Sequence, residues 1–457
     1  MSIFSLINKI QSVKKAEQLN AQQVRVLQEK RLRDLLKHTL EKSKFYKRYY
    51  REHGITIDQV DKITLPDIPP INKKIMMENY DEFVCDPKLN RKDLEEFISD
   101  PSNRGKKYKN SYQVIHTSGS TGTIGLFVYG ARDWDWLRAM VVARVTRTKI
   151  NFFKKTKIAY IGATDGHYAG ISIAQSAPRF LFDFLPLSVN SPLQEICEKV
   201  NRFQPVALSG YSSGVYLLAG EQIKGNINIK PKRVICSADP LTSPMRDTIK
   251  KAFAVEPVNF YAASESIGLG ADCDKNQGFH LFNDWHCFEV VDDDFKQVNF
   301  GKPGKVVLTN LYNYTQPLIR YQITDEIIVD DKPCECGCPF PIIKNIAGRQ
   351  EEFLWFEKPD GRKEYIHPIM IVEFFVSGLE KLQVIQTQKN RLLMKVIING
   401  DREKVLSAIR KRMTEILKGK GLENVVGFDV EVVKQLAIDP KTGKFKLIIP
   451  FKGELNR

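Results

Sequence analysis

A segment rich in glycine, serine and threonine is the most informative chemical feature of the sequence. Residues 116–125 read HTSGSTGTIG, with no bulky side chain between Thr117 and Gly122. Glycine lets a backbone approach a ligand closely, and backbone N–H groups and hydroxyls bind phosphate oxygens. The segment lacks the Gly-Lys-Ser/Thr ending of P-loop ATPases, and a Ser/Gly-rich surface turn is the alternative interpretation. The candidate phosphate ligands are Thr117, Ser118, Gly119, Ser120, Thr121 and Gly122.

Charged and aromatic residues in three other segments fit the chemistry of a nucleotide. Glu265 closes the run YAASE at 261–265, and carboxylates hold Mg²⁺ together with substrate phosphates. Asp325 ends LIRYQITD at 318–325, where a carboxylate can accept both ribose hydroxyls. Lys444 follows Gly443 in a Lys-rich turn, and a long cation on a mobile loop can neutralise charge at a phosphate. Together these segments indicate activation of a carboxylic acid with ATP, although each alone could be a charged strand end or turn.

A cluster of thiols could bind a metal. Cys334, Cys336 and Cys338 alternate with Glu and Gly, and Cys273 and His280 precede them. Thiolates and imidazole at close spacing suit tetrahedral zinc. We therefore expect a structural zinc site formed by Cys273, His280, Cys334 and Cys336, in which Cys338 could replace one ligand. A reduced thiol turn without metal is the alternative.

Strands and helices alternate after the glycine-rich segment. The apolar stretch 124–129 is typical of a strand. Further strands are expected at 156–161, 206–209, 232–237, 258–261 and 305–311, and helices at 192–203, 213–224 and 244–254. This alternation predicts an α/β fold of stacked layers. Residues 280–330 are rich in β-strand patterns.

Two regions flank this α/β part. Residues 5–53 have helical apolar spacing and predict two or three helices, followed by a proline-rich loop at 65–70 and a polar, flexible segment at 101–112. After Gly348-Arg349 the pattern changes to a small α+β unit with a helix at 368–377, strands at 383–388 and 392–398, a helix at 402–417 and a strand at 428–433. We therefore predict a large domain at 1–347, which includes a helical segment at about 1–70, and a small domain at 348–457.

The composition is that of an ordinary globular protein. Of its 457 residues 42% are hydrophobic and 27% charged, and no apolar run reaches the roughly 18–20 residues of a membrane span. The N-terminus has no cleavage pattern of a secretory signal, so we expect a cytoplasmic protein whose eight cysteines form no disulfide framework.

The positive charge is concentrated near the start of the chain. The net charge is +15, and residues 1–50 hold 12 Lys and Arg against 4 Asp and Glu. This surface is either a solvated helix pair or a docking face for an anionic partner. Nucleic acid is not expected as a partner, because no basic patch has interleaved aromatic residues.

In their order and spacing, these motifs resemble those of the adenylate-forming superfamily, which includes acyl-CoA synthetases, luciferases and peptide-synthetase adenylation domains. The phenylacetate–CoA ligase-like branch is most similar, from Leu32 to Lys444. The resemblance implies a large N-terminal adenylation domain of α/β subdomains with a β-rich subdomain, followed by a small mobile α+β C-terminal domain.

The resemblance also implies roles for individual residues. Tyr261 would stack on adenine, Ser264 would face phosphate, Glu265 would help hold Mg²⁺ and Asp325 would bind ribose. The remaining implied site residues are Ser237, Ala238 and Asp239 beside adenine, Arg349 at the triphosphate, Lys444 as catalytic lysine and His167 near the carboxylate. Four residues depart from the family pattern, namely Thr123 for Lys, Ala262 for Gly, Ile323 for Thr and Thr324 for Arg or Gly.

The activity implied by the resemblance has two steps. A carboxylic acid reacts with Mg·ATP to give an acyl-adenylate and pyrophosphate, and the acyl group then passes to a thiol, most simply that of coenzyme A. One alternative is transfer to an acyl-carrier protein, an amine or a sugar. Another is a catalytically retired nucleotide-binding or scaffold protein. The oligomeric state is open, and a homodimer is one expectation.

Overall fold

The computed structural model describes residues 3–117, 124–147, 155–273, 275, 277–330, 332–347, 353–372, 374, 376–437 and 446–451. Its helices are α1 (Ile3–Ala16), α2 (Ala21–Lys42), α3 (Lys44–Glu52), α4 (Lys73–Glu78), α5 (Tyr80–Phe83), α6 (Arg91–Ser99), α7 (Ala131–Met140), α8 (Ala169–Gln175), α9 (Leu193–Phe203), α10 (Ser212–Ile223), α11 (Ser243–Phe253), α12 (Pro368–Val372) and α13 (Arg402–Gly419). Short 3₁₀ turns are found at Ile57–Gln59, Leu65–Asp67 and Pro101–Asn103, and a π-helix at Val141–Thr146.

The strands are β1 (Gln113–His116), β2 (Leu126–Tyr129), β3 (Thr156–Gly162), β4 (Phe182–Ser188), β5 (Ala207–Tyr211), β6 (Arg233–Ser237), β7 (Val258–Tyr261), β8 (Gly270–Asp272), β9 (Phe279–Leu281), β10 (His286–Val291), β11 (Pro303–Asn310), β12 (Tyr321–Val329), β13 (Ile342–Ala347), β14 (Leu354–Glu357), β15 (Lys363–Ile366), β16 (Leu379–Gln388), β17 (Arg391–Ile398), β18 (Gly427–Val432) and β19 (Ile448–Ile449).

A large mixed sheet organises the first three quarters of the chain. Within the described ranges it has 11 strands in the order β10-β11-β12-β13-β9-β8-β7-β6-β5-β3-β4. Strands β4, β3, β5, β6 and β7 are parallel, and pairing is antiparallel from β7 to β10. The predicted α/β class is confirmed. In such sheets ligands bind beyond the carboxyl ends of the parallel strands, which here include Ser237 and Tyr261.

A hairpin lies beside this sheet and carries the glycine-rich segment. Strands β1 and β2 pair antiparallel, with His116 opposite Leu126. All four residues of β2 are buried, which means that both faces of this strand are covered. The hairpin therefore brings Thr117 and Gly125, which flank the centre of the glycine-rich segment, close together.

The N-terminal helices pack against this body. Asn20 and Gln23 form a reciprocal capping box at the start of α2, and Ser43 caps α3. The fully buried Tyr46 donates a hydrogen bond of 2.9 Å to the carbonyl of Pro317. The sequence predicts two or three helices here, and the structure has three.

The C-terminal residues build a second sheet, of the order β18-β17-β16-β19, which is covered by α13. Asp401 caps α13, whose buried residues include Leu406, Ile409 and Met413. These side chains join the sheet in a separate hydrophobic cluster. Such a cluster is what a compact domain needs, and the division at 347/348 stays a prediction.

Several predicted elements differ from the structure. The helix expected at 368–377 ends at Val372, and Gly378 has a φ of +85° in the turn before β16. Strand β4 contains Pro186, which hides it from sequence patterns, and it can form because β4 is an edge strand. The segment 101–112, expected to be a polar, flexible loop, contains a 3₁₀ turn, and Tyr108 forms a bridge with Tyr112.

Candidate active site

The end of β7 meets the middle of β12 at the centre of the candidate site. The hydroxyl of Tyr261 donates a hydrogen bond of 2.8 Å to Oδ2 of Asp325. Burial raises the pKa of Asp325, and the bond from Tyr261 opposes that rise. Two residues separated by 64 positions are thus joined, and their contact with a nucleoside stays a prediction.

The loop after β7 places a second carboxylate beside this pair. Tyr129 of β2 donates a hydrogen bond of 3.3 Å to the carbonyl of Glu265. Burial is the main cause that raises the pKa of Glu265; the positive charge of Lys73 lowers it, and the negative charge of Asp325 raises it further. The charges of the two carboxylates therefore interact, and a carboxylate such as that of Glu265 is a ligand that suits Mg²⁺. Ser264, the residue before Glu265, is half-buried in the same loop.

The base of the glycine-rich loop is closed by two hydrogen bonds. The backbone N–H of Thr117 donates to the carbonyl of Gly125 at 3.0 Å. The N–H of Gly125 donates to Oγ1 of Thr117 at 2.8 Å. Thr117 therefore acts as a structural clamp of the loop. The other predicted phosphate ligands, Ser118 to Gly122, lie outside the described residues.

Just after β6, Ala238 has an uncommon backbone conformation and the side chain of Asp239 is held by hydrogen bonds. Ala238 has a φ of +70°, which is uncommon for a residue with a side chain. Asp239 accepts hydrogen bonds from the backbone and the hydroxyl of Ser213, and burial raises its pKa to about 6. The oxygen of Ser213 also lies 2.6 Å from Nε2 of His367. The structure thus places Asp239 in a link to the C-terminal residues, whereas the predicted contact of its carboxylate was with adenine.

Two histidines lie side by side where β1 reaches the glycine-rich loop. The backbone N–H of His116 donates to the carbonyl of His167 at 3.1 Å, and the N–H of His167 donates to Nε2 of His116 at 3.3 Å. Burial lowers the pKa of His167 to about 4, so its ring is neutral near pH 7. The Nε2 atom of His167 is buried and has no hydrogen-bond partner among the described residues. A polar ligand could therefore bind to it.

The predicted thiol cluster is assembled. Sγ of Cys273 lies 3.3 Å from Sγ of Cys334, and Nε2 of His280 lies 3.2 Å from Sγ of Cys336. The four ligand atoms all lie within 4.8 Å of one another. Nδ1 of His280 lies 3.1 Å from the carbonyl of Phe340 and can donate to it, which leaves Nε2 directed at the thiols. The donor set fits a tetrahedral zinc ion.

Some motif residues have other roles or cannot be placed. Arg320 is buried and pairs with Glu289 at 2.9 Å, and it donates to the carbonyl of Ile68 at 2.6 Å. It therefore holds the N-terminal region against the sheet. Arg349 and Lys444 lie outside the described residues.

Sequence reasoning missed two residues of the site, Lys73 and His116. Lys73 is the first residue of α4, and its charge acts on Glu265. His116 stands directly before Thr117, and this position next to the loop motif could have identified it as a site residue. Lys73 stands next to the similar Lys74, and no pattern distinguishes the two.

Comparisons with known proteins agree with this geometry, although no family model matches the chain. Phenylacetate-coenzyme A ligase of Thermus thermophilus is 27% identical over 358 residues, which are 74% of this chain and 73% of that protein. Protein CapK of Staphylococcus aureus is 23% identical over 429 residues, 91% of this chain and 86% of that protein.

The fold is also found among solved structures. A 2-hydroxyisobutyryl-CoA ligase, solved with 2-HIB-AMP and CoA in its thioesterification state, matches with a TM-score of 0.62 and 21% identity, over 96% of this chain and 91% of that chain. Its open conformation matches with a TM-score of 0.56 and 20% identity, over 92% of this chain and 90% of that chain. The solved structures show the same fold, and the curated relatives support the resemblance of the motifs to the phenylacetate–CoA ligase-like branch of the adenylate-forming superfamily.

Proposed function

We propose that the protein is an AMP-forming ligase that converts a carboxylic acid to its acyl-adenylate and then to a thioester of coenzyme A. The observation that carries the proposal is the 2.8 Å hydrogen bond between Tyr261 and Asp325, with Glu265 and the clamped loop beside it. Relatives named phenylacetate-coenzyme A ligase support the reaction class.

The proposed first step joins the acid to the α-phosphate. A carboxylate oxygen of the acid attacks phosphorus, the bond to the β-phosphate oxygen breaks, and pyrophosphate leaves with the electron pair. Tyr261 and Asp325 hold the nucleoside, while Ser237 and Ala238 line the adenine side. Glu265 would hold Mg²⁺, which when bound neutralises phosphate charge. No covalent bond to the protein is needed, so positioning and charge neutralisation supply the rate.

The proposed second step depends on the C-terminal residues. We assign Lys444 to the first step, and Arg349 to the junction at which a domain of residues 348–457 rotates against residues 1–347. Rotation withdraws Lys444 and admits the acceptor thiol. Its sulfur attacks the acyl carbon, the bond from that carbon to the phosphate oxygen breaks, AMP leaves with the electron pair, and the thiol proton passes to solvent. This assignment predicts that Lys444→Ala abolishes adenylate formation and spares thiolysis of a supplied acyl-adenylate.

We further propose that Cys273, His280, Cys334 and Cys336 bind a structural zinc ion. The cluster joins the β8–β9 hairpin to the turn at 334–337, and Gln277 of the hairpin also contacts Cys334 and Glu335 of that turn. Zinc there would hold β8 and β9 in register next to β7, which ends in Tyr261. The proposed role of the zinc ion is therefore structural, namely to stabilise this part of the sheet.

Coenzyme A is the acceptor best supported by the relatives, and a carrier protein is the alternative, for which the basic N-terminal helices would be the docking face. The presence of both Glu265 and Asp325 near Tyr261 and Thr117 supports a catalytic role over that of a retired scaffold. Within the described ranges no helix is long and apolar enough to cross a membrane.

Product analysis tests the proposal. Purified protein is incubated with Mg·ATP and a panel of aryl, fatty and hydroxy acids, with and without coenzyme A, and products are identified by mass spectrometry. We expect AMP and one acyl-CoA that require both ATP and coenzyme A. Acyl-adenylate that accumulates without reacting with coenzyme A would favour the carrier-protein alternative, and binding of ATP without turnover of any acid would favour the scaffold.

A further inference from the structure

The glycine-rich loop itself contains no positively charged side chain. Residues 117–125 read TSGSTGTIG and include neither lysine nor arginine. The polyphosphate of ATP carries several negative charges, and hydroxyl and backbone N–H groups alone leave them without a compensating side-chain charge. A lysine or arginine from another segment is the natural complement to such a loop.

The backbone before α4 is fixed to the strand that carries Asp325. Ile71 bridges to Tyr321, the first residue of β12. The N–H of Ile71 donates to the carbonyl of Arg320 at 2.9 Å, and the N–H of Gln322 donates to the carbonyl of Ile71 at 2.8 Å. Two residues later, Lys73 begins α4 after its cap Asn72. Its Cα is therefore anchored to the same strand as the ribose-binding candidate.

The side chain of Lys73 extends from this anchor to the base of the loop. A methyl group placed on Gly125 would lie 3.3 Å from Cδ of Lys73 and 3.2 Å from Oγ1 of Thr117. The lysine stem therefore crosses the closed base of the loop, where Gly125 leaves room for it. The side chain is half-buried, and burial lowers the pKa of Lys73 while the charge of Glu265 raises it. The charge of Lys73 therefore acts on Glu265, while its stem lies against Gly125 and Thr117.

The neighbouring lysine has none of these features. The side chain of Lys74 is 81% exposed, and its ammonium lies 3.9 Å from Glu78 one helical turn further on. Lys73 and Lys74 therefore share a helix and a charge, and only Lys73 reaches the site.

We propose that Lys73 is a phosphate-binding residue of the nucleotide site, which supplies from the start of α4 the cation that the glycine-rich loop lacks. The inference rests on the proposed function. Lys73 stays protonated and forms no covalent bond; its charge offsets the negative charge that pyrophosphate gains as the bond to the α-phosphate breaks. The contribution of Lys73 to nucleotide affinity should require the β- and γ-phosphates, so the affinity for AMP should hardly depend on Lys73.

Nucleotide binding tests this assignment without turnover. Calorimetric titrations with a non-hydrolysable ATP analogue and with AMP compare wild type, Lys73→Met, Lys73→Arg and the control Lys74→Met. Loss of one charge-assisted bond predicts ~10- to 100-fold weaker binding of the ATP analogue by Lys73→Met. Binding of AMP should change less than about threefold, Lys73→Arg should restore part of the affinity, and Lys74→Met should behave as wild type.

The outcomes separate the two proposals. Equal affinity of wild type and Lys73→Met for the ATP analogue would overturn the role of Lys73 and leave the ligase proposal intact. Equal weakening of AMP and of the ATP analogue would also overturn it, because the residue would then act on the fold of the site. A wild-type protein that binds neither nucleotide would refute the ligase proposal and the role of Lys73 together.

Discussion

At the scale of single residues, the pairing of Tyr261 with Asp325 links two motifs that the sequence could only place far apart. From the sequence alone, each of these side chains could equally be a residue at the end of a strand without a role in binding. Their hydrogen bond of 2.8 Å fixes the orientation of the Asp325 carboxylate through its Oδ2 atom. The bond also favours the charged form of Asp325, whose pKa is raised by burial. We therefore expect Tyr261 to influence nucleotide affinity through Asp325.

The change Tyr261→Phe removes this donor. One hydrogen bond to a charged group predicts a KM for ATP that rises by about tenfold, with kcat changed far less. Steady-state kinetics measure both constants. The matched control is Tyr112→Phe, whose hydroxyl bonds to Asp86 at 2.5 Å outside the site, and its kinetics should match wild type. An unchanged KM in Tyr261→Phe would contradict the assignment of Asp325 to the nucleotide.

At the scale of elements, the sequence predicts best where local patterns dominate. Strand β7 is found at its predicted bounds, and the first residues of α9 and α11 each lie one position from the predicted first residue. Strand β4 was missed because Pro186 is disfavoured in strands except at a sheet edge, and edge position is a tertiary property. Lys73 was missed for a similar reason, since its contact with the loop depends on the bridge between Ile71 and Tyr321. Long-range pairing of this kind leaves no local periodicity.

The thiol cluster was predicted from the sequence despite irregular spacing, and its metal can be tested at this scale. We expect about one zinc ion per chain in protein purified without added metal, and less than about half of that in Cys334→Ser. Elemental analysis by mass spectrometry measures the ratio. Cys338→Ser removes a thiol of the same turn that is outside the four-ligand group, and it should retain the zinc. Wild-type protein with less than about half an equivalent would argue against the site.

At the scale of the whole molecule, the C-terminal residues dock through a buried polar contact. Nζ of Lys420 lies 3.0 Å from Glu364 and donates to the carbonyls of Val189 and Ser191 at 3.1 and 2.7 Å. Glu364 also accepts a hydrogen bond of 3.0 Å from the N–H of Leu193. Burial lowers the pKa of Lys420 to about 8, and Glu364 limits that decrease. Any rotation of the proposed small domain has to break the hydrogen bonds that Lys420 and Glu364 form with Val189, Ser191 and Leu193.

Lys420→Met leaves Glu364 buried with one positive partner fewer. Removal of one member of a buried pair predicts a free energy of unfolding lower by about 3–5 kcal/mol. The double variant Lys420→Met/Glu364→Gln should recover part of that loss, because no uncompensated charge remains. Urea denaturation measures the differences, with the exposed Lys418→Met as control. If the double variant were no more stable than Lys420→Met, the pair would not be coupled.

Buried neutral histidines make the whole molecule sensitive to acid. Burial lowers the pKa of His167 and His286 to about 4 and that of His367 to about 3. The unfolded chain binds these protons below its ordinary pKa of about 6.5, so the free energy of unfolding falls as the pH decreases from there towards 4.

Denaturation at a series of pH values measures this slope. Each histidine contributes up to ~1.4 kcal/mol per pH unit in this range. His286→Gln should reduce the slope, while the exposed His53→Gln should leave it unchanged. Equal slopes in wild type and His286→Gln would show that His286 does not stay neutral in the folded protein.

The most direct test of the central claim is ATP–pyrophosphate exchange, because it reports adenylate formation without any assumption about the acceptor. Purified protein, Mg·ATP and labelled pyrophosphate are incubated with a panel of carboxylic acids. We expect exchange that depends on a particular class of acid and is lost in Lys444→Ala. Tight binding of ATP together with no exchange for any acid in a broad panel, or undiminished exchange in Lys444→Ala, would contradict it.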